Sequence, residues 1–187
     1  MINSADCGIQ TDRLMLRLQT MEDVPRLFEI LRDNPEVGHT LSFDLPETVE
    51  VAQEIFKEKR KEFPEKSIVW SIFLEEKLIG TISIENIERF MGSWKMDLAK
   101  IMFWLNPAFH NQGFATESAK AVLKFAFSQV NLHKVQIKHL SANIASQKVI
   151  EKLGFRFIGE PQNHCFRFGK WWNEKLYEML KTEFEDL

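Results

Sequence analysis

The 187-residue sequence lacks the features that mark several large classes of protein. Its two cysteines, Cys7 and Cys165, are far apart and without metal-ligand spacing, which argues against a disulfide scaffold and indicates a reducing compartment. No apolar run reaches the roughly 18 residues that a membrane span requires. The first residues also lack the apolar core of a secretory signal peptide. The sequence therefore predicts a cytoplasmic protein that does not bind membranes.

The sequence also lacks a strong excess of either charge, internal repeats and interdomain linkers. The net charge is −3, so no broad basic surface is available for nucleic acid. The five tryptophans are too scattered to form a platform on which bases stack. No repeat, low-complexity tract or Pro/Gly/Ser linker divides the chain. We therefore expect one domain over residues 1–187 and no nucleic-acid partner.

Hydrophobic residues make up 44% of the chain and include 16 phenylalanines, enough for a substantial core. Their periodicity predicts helices first, then a meander of strands, then alternating strands and helices. The predicted strands are Arg13–Leu18, Ile68–Leu74, Leu78–Ile84, Leu98–Leu105, Val135–Leu140, Phe155–Ile158 and Trp171–Leu180. A loop is predicted near Arg89–Ser93. This order indicates an α/β fold with a mixed sheet.

The predicted helices have start, packing and stop signals. Thr20 and Asp23 resemble a capping box with Asp in place of Glu or Gln, and Gly154 stands just after the short helix Ala145–Leu153. A second helix is predicted over Glu47–Phe63, with inward-facing residues Val51, Ile55 and Phe56. A third helix carries its apolar face on Ala115, Ala119, Val122, Leu123, Ala126 and Phe127.

The segment Ile101–Glu117 predicts a strand, a tight turn and the start of that third helix. The first N–H groups of a helix have no intrahelical partner, and the helix dipole places partial positive charge there. Gly113 in the turn allows the backbone to approach a ligand closely. The turn therefore suits a phosphate-sized anion, although any strand–turn–helix unit contains such a turn. Neither a dinucleotide-binding nor a P-loop motif is present.

A second segment, Ser141–Phe155, begins a helix directly after a strand and ends in Leu-Gly-Phe. With it, the sequence resembles the GNAT superfamily of N-acetyltransferases, and in particular its RimJ/RimL-like branch. That branch acetylates N-terminal amines of ribosomal proteins and includes antibiotic and small-amine acetyltransferases. The resemblance covers about Thr11 to Leu180. Its opening strand and helix correspond to Thr11–Arg17 with Met21–Asp23, and its (Gln/Arg)-x-x-Gly-x-(Gly/Ala) pyrophosphate loop corresponds to His110–Ala115. The start of its last strand corresponds to Gly169–Trp171 with Tyr177.

The resemblance implies a mixed, mostly antiparallel central sheet with flanking helices and a splayed parallel strand pair that admits acetyl-CoA. It implies acetyl transfer to a primary amine, no metal, and a homodimer. The cofactor-binding residues that it implies are Phe103, Trp104, Leu105, His110, Gln112, Gly113, Phe114, Ala115, Thr116 and Asn143. Ser146 would lie near the thioester sulfur as a general acid. The position of Asn143 also suits a helix N-cap, and both roles can coexist.

Two departures from the family pattern affect the chemistry. His110 stands where the loop has Gln or Arg, and Lys100 stands where the branch often has a glutamate that is a candidate base. Glu85 and Glu88 are possible replacements or, as we favour, solvated loop charges. A site without a dedicated carboxylate better suits an α-amine than a lysine side chain, or else a water relay to distant proton acceptors. One alternative is a degenerate module that binds CoA without transferring acetyl. A nucleotide-binding domain is a further alternative, but the sequence lacks the phosphate-binding lysine and ribose-binding acid motifs that such a domain would have.

Acceptor specificity is expected to come from the loops Asn34–Pro46 and Gly159–Phe168. His39 and His164 in these loops are candidates for substrate binding or base catalysis, or are simply exposed. His133 and His139 are expected to be structural or on the surface. The aromatic candidates for lining the acceptor cleft, or for ordinary packing, are Phe43, Phe90, Phe166 and Phe168.

Overall fold

The structure is a computed structural model that describes residues 2–41 and 44–185. Its helices and strands follow one another in the order of a mixed α/β domain. The strands are β1 Ile9–Gln10, β2 Leu14–Leu18, β3 Ser67–Leu74, β4 Lys77–Met91, β5 Trp94–Leu105, β6 Lys134–Leu140, β7 Arg156–Gly159, β8 Cys165–Arg167, β9 Lys170–Trp172 and β10 Glu174–Leu180. The helices are α1 Val24–Asp33, α2 Pro35–Gly38, α3 Val49–Arg60, α4 Phe114–Ser128, α5 Ile144–Lys152 and α6 Lys181–Glu185.

Eight strands form the central sheet in the order β1-β2-β3-β4-β5-β6-β10-β7, and β8 with β9 forms a separate hairpin. Neighbouring strands are antiparallel except for β5 and β6, which are parallel. Helix α4 connects β5 to β6, as a parallel pair requires a crossover. The sheet confirms the predicted mixed, mostly antiparallel fold with flanking helices.

The core lies between the central sheet and the apolar face of α4. Ala119, Val122, Leu123 and Ala126 are buried there, as the helical periodicity predicts. Trp70 of β3 is fully buried, and its indole N–H donates to the carbonyl oxygen of Cys7 at 2.6 Å. A smaller apolar cluster joins α1 and α2 to Trp104 on β5. Trp104 thereby anchors the C-terminal part of β5, the part on which the site is built.

The predicted helix signals at Thr20 and Gly154 are confirmed. The backbone N–H of Thr20 donates to the carboxylate of Asp23 at 2.9 Å, which completes a capping box at a 3₁₀ turn before α1. Arg17 holds the same carboxylate at 2.6 Å. Gly154 has φ +79° and donates its N–H to the carbonyl oxygen of Glu151 at 3.0 Å. Its left-handed conformation ends α5 as a C′ glycine does.

The prediction that Val51 and Ile55 face inward is wrong. In α3 their side chains are 45% and 53% exposed, and Phe56 is only partly buried. Helix α3 packs against α1 and does not close onto the sheet. Its apolar side chains Ile55 and Phe56 instead line a cavity between the helices and the sheet. An apolar stripe identifies a helix face that avoids water, but it does not say whether that face meets a core or a cavity.

Two strand boundaries were also predicted wrongly. The loop predicted near Arg89–Ser93 is only the turn at Gly92 and Ser93, because β4 and β5 continue as a hairpin in which Phe90 pairs with Lys95. The predicted strand Trp171–Leu180 is two strands. Lys170–Trp172 pairs with β8, whereas Glu174–Leu180 joins the central sheet between β6 and β7. This second difference arises because the two parts pair with different strands, which local residue patterns do not encode.

Candidate active site

The parallel strands β5 and β6 diverge along their length. They pair at Leu98 with Lys134, Ala99 with Val135, and Lys100 with Gln136, and beyond these positions no pairing continues among the described residues. A cavity of about 340 Å³ occupies the resulting gap and extends to both faces of the sheet. The splayed strand pair is therefore confirmed. It leaves the edge of β5 after Lys100 without a neighbouring strand on the β6 side.

The cavity brings together three of the predicted site residues. Phe103 of β5 lines one wall, and Asn143 and Ser146 at the start of α5 line another. The side chains of Trp104 and Leu105 are buried away from it, Trp104 against α1 and Leu105 in the main core. Only the main chain of these two residues is available at the strand edge, which is the part that the prediction assigned to the cofactor.

The turn before α4 has the backbone geometry of an anion site. Gly113 has φ +85°, a conformation that L-amino acids with a side chain rarely adopt. The N–H groups of Phe114, Ala115 and Thr116 have no acceptor among the described residues, and the first helical bond runs from Glu117 to the carbonyl oxygen of Gly113 at 3.0 Å. Three donors at the positive end of the helix dipole thus point out of the helix.

Arg13 of the opening segment braces this turn, a role that the sequence reasoning missed. Its guanidinium donates to the carbonyl oxygen of Gln112 at 3.1 Å, lies over the ring of Phe114, and donates to Glu117 at 2.7 Å. The hydroxyl of Thr11 donates to the same carboxylate at 2.6 Å. Burial alone would raise the pKa of Glu117, but the hydrogen bonds from Thr11 and Arg13 outweigh it and hold that pKa below its ordinary value.

His110 and Gln112 direct their side chains back onto the turn. The Nε2–H of His110 donates to the carbonyl oxygen of Leu105 at 2.9 Å, and the amide of Gln112 donates to the carbonyl oxygen of Ala108 at 3.1 Å. Both side chains therefore shape the loop between β5 and α4, and its main chain supplies the outward donors. The replacement of Gln or Arg by His110 consequently leaves those donors in place.

Asn143 is the N-cap of α5, which confirms one of its two predicted roles. Its Oδ1 accepts from the N–H of Ser146 at 3.0 Å. The amide nitrogen Nδ2 has no acceptor among the described residues and remains free to donate elsewhere. The hydroxyl of Ser146 likewise makes no hydrogen bond within the described chain and is partly buried in the cavity wall. Two polar groups thus face the cavity from one helix start.

On the other face of the sheet, the cavity is lined by a buried carboxylate that the sequence reasoning did not single out. Glu174, the first residue of β10, is 4% exposed. Its Oε2 lies 2.9 Å from Nζ of Lys138 and 3.6 Å from Nε2 of His164. His164, a predicted acceptor-side candidate, lines the cavity, whereas the ring of His39 packs against Phe168 in a tilted arrangement at a centroid distance of 4.7 Å.

The aromatic candidates for the cleft have different positions. Phe90 is 65% exposed on the β4–β5 hairpin, at the end of β5 away from the cavity. Phe166 and Phe168 are exposed on the β8–β9 hairpin, whose Cys165 and Arg167 do line the cavity. Phe43 lies outside the described residues. Arg167 donates to the carbonyl oxygen of Leu41 and pairs with Asp44 at 3.0 Å, so this hairpin and the loop after α2 together border the acceptor side.

His139 is buried, as expected for a structural histidine. Its ring stacks on Tyr177 at 5.6 Å, and Nδ1 lies 2.8 Å from the carbonyl oxygen of Leu140, which makes Nδ1 the protonated nitrogen. The other ring nitrogen, Nε2, is buried and has no partner among the described residues. Burial lowers the pKa of His139, so the ring is held in its neutral form.

Glu85 and Glu88 belong to β4, so the prediction that they are loop charges is wrong. Glu85 lies directly opposite Lys100, accepts from the hydroxyl of Ser83 at 2.9 Å and pairs with Lys59 at 3.2 Å. It lines a second, mostly apolar cavity of about 450 Å³ between α1, α3 and the sheet. Glu88 is exposed. The two cavities share Phe103 as a common wall.

No group of three or more His, Cys, Asp or Glu side chains in residues 2–41 and 44–185 is arranged to hold a metal ion. Over the same residues, no helix combines the length and the apolar character that crossing a membrane requires.

The splayed strands and the turn with outward N–H donors lie within a segment that matches a known protein family. The model of the acetyltransferase (GNAT) domain matches residues 13–156. The chain belongs to the GNAT acetyltransferase family. It is therefore an acyltransferase, and acetyl-CoA is its acetyl donor. The residues present fit coenzyme A, because the turn offers unpaired donors to a diphosphate and the strand gap offers an unpaired edge to an extended arm.

Individual relatives of this GNAT enzyme are distant but match most of its length. The "Uncharacterized N-acetyltransferase YnaD" of Bacillus subtilis is 26% identical over 178 residues, which are 94% of this chain and 98% of that protein. The "Putative ribosomal N-acetyltransferase YdaF" of the same organism is 25% identical over 178 residues, 93% of this chain and 94% of that protein.

Solved structures share the fold. Mycobacterium smegmatis RimJ in complex with CoA-disulfide superposes with a TM-score of 0.82 at 22% identity, covering 91% of this chain and 83% of that one. RimL, described as a ribosomal L7/L12 α-N-protein acetyltransferase in complex with coenzyme A, also gives 0.82 at 20% identity, covering 92% and 97%.

Proposed function

We propose that this GNAT enzyme acetylates the α-amine of a peptide or protein N-terminus. The observation that carries the proposal is Lys100, which lines the cavity at the position where the related branch often has a carboxylate. The usual carboxylate is therefore missing from this position of β5. An acceptor that gives up its proton easily is favoured, whichever other group receives that proton.

The free energy of deprotonation favours an α-amine. Removing a proton from a lysine-like amine of pKa about 10.4 costs about 4.6 kcal/mol at pH 7. The same step costs only about 1–1.4 kcal/mol for a peptide α-amine of pKa about 7.7–8.0. The difference of roughly 3 kcal/mol corresponds to a factor of more than 100 in the fraction of reactive amine.

The donor side of the proposal uses the groups that have no partner in the described chain. The N–H groups of Phe114, Ala115 and Thr116 bind the diphosphate of coenzyme A, and the free edge of β5 at Phe103–Leu105 pairs with the pantetheine arm. Asn143 Nδ2 contacts the same arm. Ser146 Oγ lies nearest the thioester sulfur, where its hydroxyl protonates the departing thiolate.

The relatives support a polypeptide acceptor without identifying it. YdaF is named a putative ribosomal N-acetyltransferase, and RimL is described as acting on the α-amine of L7/L12. Because identity to the solved structures is below 25%, their acceptors enter only as part of this proposal. Cytoplasmic location and a homodimer stay predictions, and size-exclusion chromatography with light scattering tests the latter.

A matched pair of peptides tests the acceptor class. One peptide has a free N-terminus and an acetylated lysine, and the other has the same sequence with an acetylated N-terminus and a free lysine. We expect kcat/KM for the first to be at least about ten-fold higher, followed by thiol release and mass spectrometry. A clear preference for the lysine would contradict the proposal. Coenzyme A binding without thiol release on any amine would indicate a module that binds but does not transfer.

A further inference from the structure

We propose that Glu174 is the carboxylate that binds the acceptor amine and removes its proton, in place of the one that is missing at Lys100. The inference rests on the proposed function, because it requires an amine acceptor in the cavity between β5 and β6. It assigns an acceptor-side catalytic residue on β10, two strands away from Lys100 in the sheet.

Glu174 and Ser146 line the same cavity from opposite faces of the sheet. Ser146 belongs to α5, which packs on one face together with α4. Glu174 extends on the other face with Lys138 of β6, since Lys138 pairs with Leu176 and Glu174 pairs with Leu140 two residues along. A reacting acyl group in the strand gap would therefore have a hydroxyl on one side and a carboxylate on the other.

The hydrogen bonding of Glu174 is incomplete. Oε2 accepts from Lys138 at 2.9 Å, whereas Oε1 has no donor among the described residues, although the residue as a whole is 4% exposed. Oε1 is not one of the fully buried polar atoms that lack a partner, so it is accessible from the cavity. An ammonium group entering the cavity would donate to it and bring a positive charge. The accessible Oε1 distinguishes Glu174 from a purely structural ion pair.

Glu178, four residues further along β10, shows what such a structural pair looks like. It points to the same face and pairs with Lys134 of β6 at 3.2 Å, in the same relation that Glu174 has to Lys138. Its other oxygen is held by Arg156 at 2.5 Å. Both oxygens of Glu178 are thus used, and the residue does not line the cavity. Both glutamates lie beside a lysine of β6. Of the two, only Glu174 lines the cavity and has an oxygen without a hydrogen-bond donor among the described residues.

Glu85 is the competing carboxylate. It lies across from Lys100, but its two oxygens accept from Ser83 and pair with Lys59, and it lines the second cavity rather than the one that contains Ser146. Its oxygens are therefore already engaged, and the wall of β5 separates it from the thioester position. The geometry therefore favours Glu174 as the base, and a Glu85→Gln variant is included in the test for comparison.

The ammonium of the acceptor gives one proton to Oε1 of Glu174, and the nitrogen lone pair then forms the C–N bond to the acetyl carbon. The C–S bond breaks with its electron pair on sulfur. The second proton leaves the nitrogen and reaches the thiolate by way of the Ser146 hydroxyl. The products are an acetylated amine, a free thiol and one proton on Glu174.

His164 provides the exit for that last proton. Its ring nitrogen lies 3.6 Å from Glu174, and its side chain is 49% exposed, so it connects the buried carboxylate to solvent. The charged and titratable groups that border this side of the cavity are Lys100, Lys138, His164, Cys165 and Arg167. His164 acts through Glu174 and is therefore a positioning and relay residue.

The test compares Glu174→Gln with a matched variant. Glu178→Gln removes the analogous carboxylate outside the cavity, which also pairs with a lysine of β6. Each is assayed for kcat/KM with the α-amine peptide at pH 7 and pH 9, for coenzyme A affinity by calorimetry, and for thermal unfolding. Glu85→Gln is assayed in parallel.

For Glu174→Gln we expect a loss of about 100-fold in kcat/KM at pH 7, with coenzyme A affinity unchanged. At pH 9 the loss should shrink to less than about ten-fold, because an α-amine of pKa about 8 is then already deprotonated. Glu178→Gln should retain activity within a few fold. Recovery at high pH is a result that a purely structural role of Glu174 would not produce.

Several results would overturn the assignment. These are an unaffected Glu174→Gln enzyme, an equal loss in Glu178→Gln, a loss that persists at pH 9, or a loss confined to Glu85→Gln. In each case the wild type still transfers acetyl, so the proposed function survives. A wild type that acetylates no amine while it binds coenzyme A would instead remove the proposed function and this inference together.

Discussion

The guanidinium of Arg13 lies 2.6 Å from the carboxylate of Glu117, across 104 residues of sequence. It also bonds the carbonyl oxygen of Gln112, directly before the glycine of the turn. One side chain thereby ties the opening strand to both the turn and the first turn of α4. The helix start that carries the three outward N–H groups is thereby braced by a contact that no local sequence pattern contains.

Replacing Arg13 by glutamine should loosen the turn. We expect the dissociation constant for coenzyme A, measured by calorimetry, to rise about ten-fold, because one ion pair and a nearby positive charge are lost. Stability should fall by only about 0–1 kcal/mol, since Arg13 is 47% exposed and solvent screens the pair. Arg32→Gln, which removes an exposed arginine paired with Asp33, is the control and should bind coenzyme A normally. Equal affinity in both variants would contradict the bracing role.

Replacing Gly113 by alanine should weaken coenzyme A binding and stability together. A side chain at φ +85° costs about 1–2 kcal/mol, and the new Cβ would lie 3.3 Å from the guanidinium of Arg13. Gly92→Ala is a matched control, because Gly92 has φ +61° in the β4–β5 hairpin and open space around it. Urea unfolding should show similar losses for both, whereas calorimetry should show reduced affinity only for Gly113→Ala.

Substitutions of Asn143 can separate its cap from its proposed contact with the pantetheine arm. Asn143→Ser keeps a good N-cap and should leave the free energy of unfolding within a few tenths of a kcal/mol, whereas Asn143→Ala should cost about 1 kcal/mol. If Nδ2 binds the cofactor, both variants should lose coenzyme A affinity. Normal affinity in the stable Asn143→Ser protein would show that the residue is only a cap.

Removing the hydroxyl of Ser146 should slow the chemical step. We expect Ser146→Ala to lower kcat about 100-fold with little change in coenzyme A affinity, because general acid assistance to the departing thiolate is lost. Ser128→Ala serves as the control, because Ser128 lies at the C-terminal end of α4 and its hydroxyl donates to the carbonyl oxygen of Lys124. A normal kcat in Ser146→Ala would leave protonation of the thiolate to solvent.

The neutral state of His139 should make the protein less stable as the pH falls. Burial holds the folded pKa of His139 below the value of about 6.5 in an unfolded chain. Below that pH the unfolded state binds more protons, so the free energy of unfolding decreases toward acid. His139→Phe keeps a ring against Tyr177 and should show a flatter dependence between pH 7.5 and 5.5 in urea unfolding. Identical slopes would contradict this.

Features encoded by neighbouring residues could be predicted from the sequence. The capping box at Thr20 and Asp23, the buried stripe of α4 and the glycine that ends α5 all depend on contacts within one or two helical turns. The turn at Gly113 belongs to the same class. Its donors follow from the backbone conformation alone, so a strand followed by a glycine turn and a helix was sufficient to locate them.

Features that depend on register and packing between distant segments were decided only by the tertiary structure. Local periodicity placed Ile55 toward the interior, but the position of α3 against α1 turned it toward a cavity. Glu174 and Lys138 form their pair because β10 aligns with β6 in one register, and β5 opens from β6 after Lys100. A strand exposes the same pattern whichever partner it meets, so its sequence cannot specify which charged side chains will face each other in a cleft.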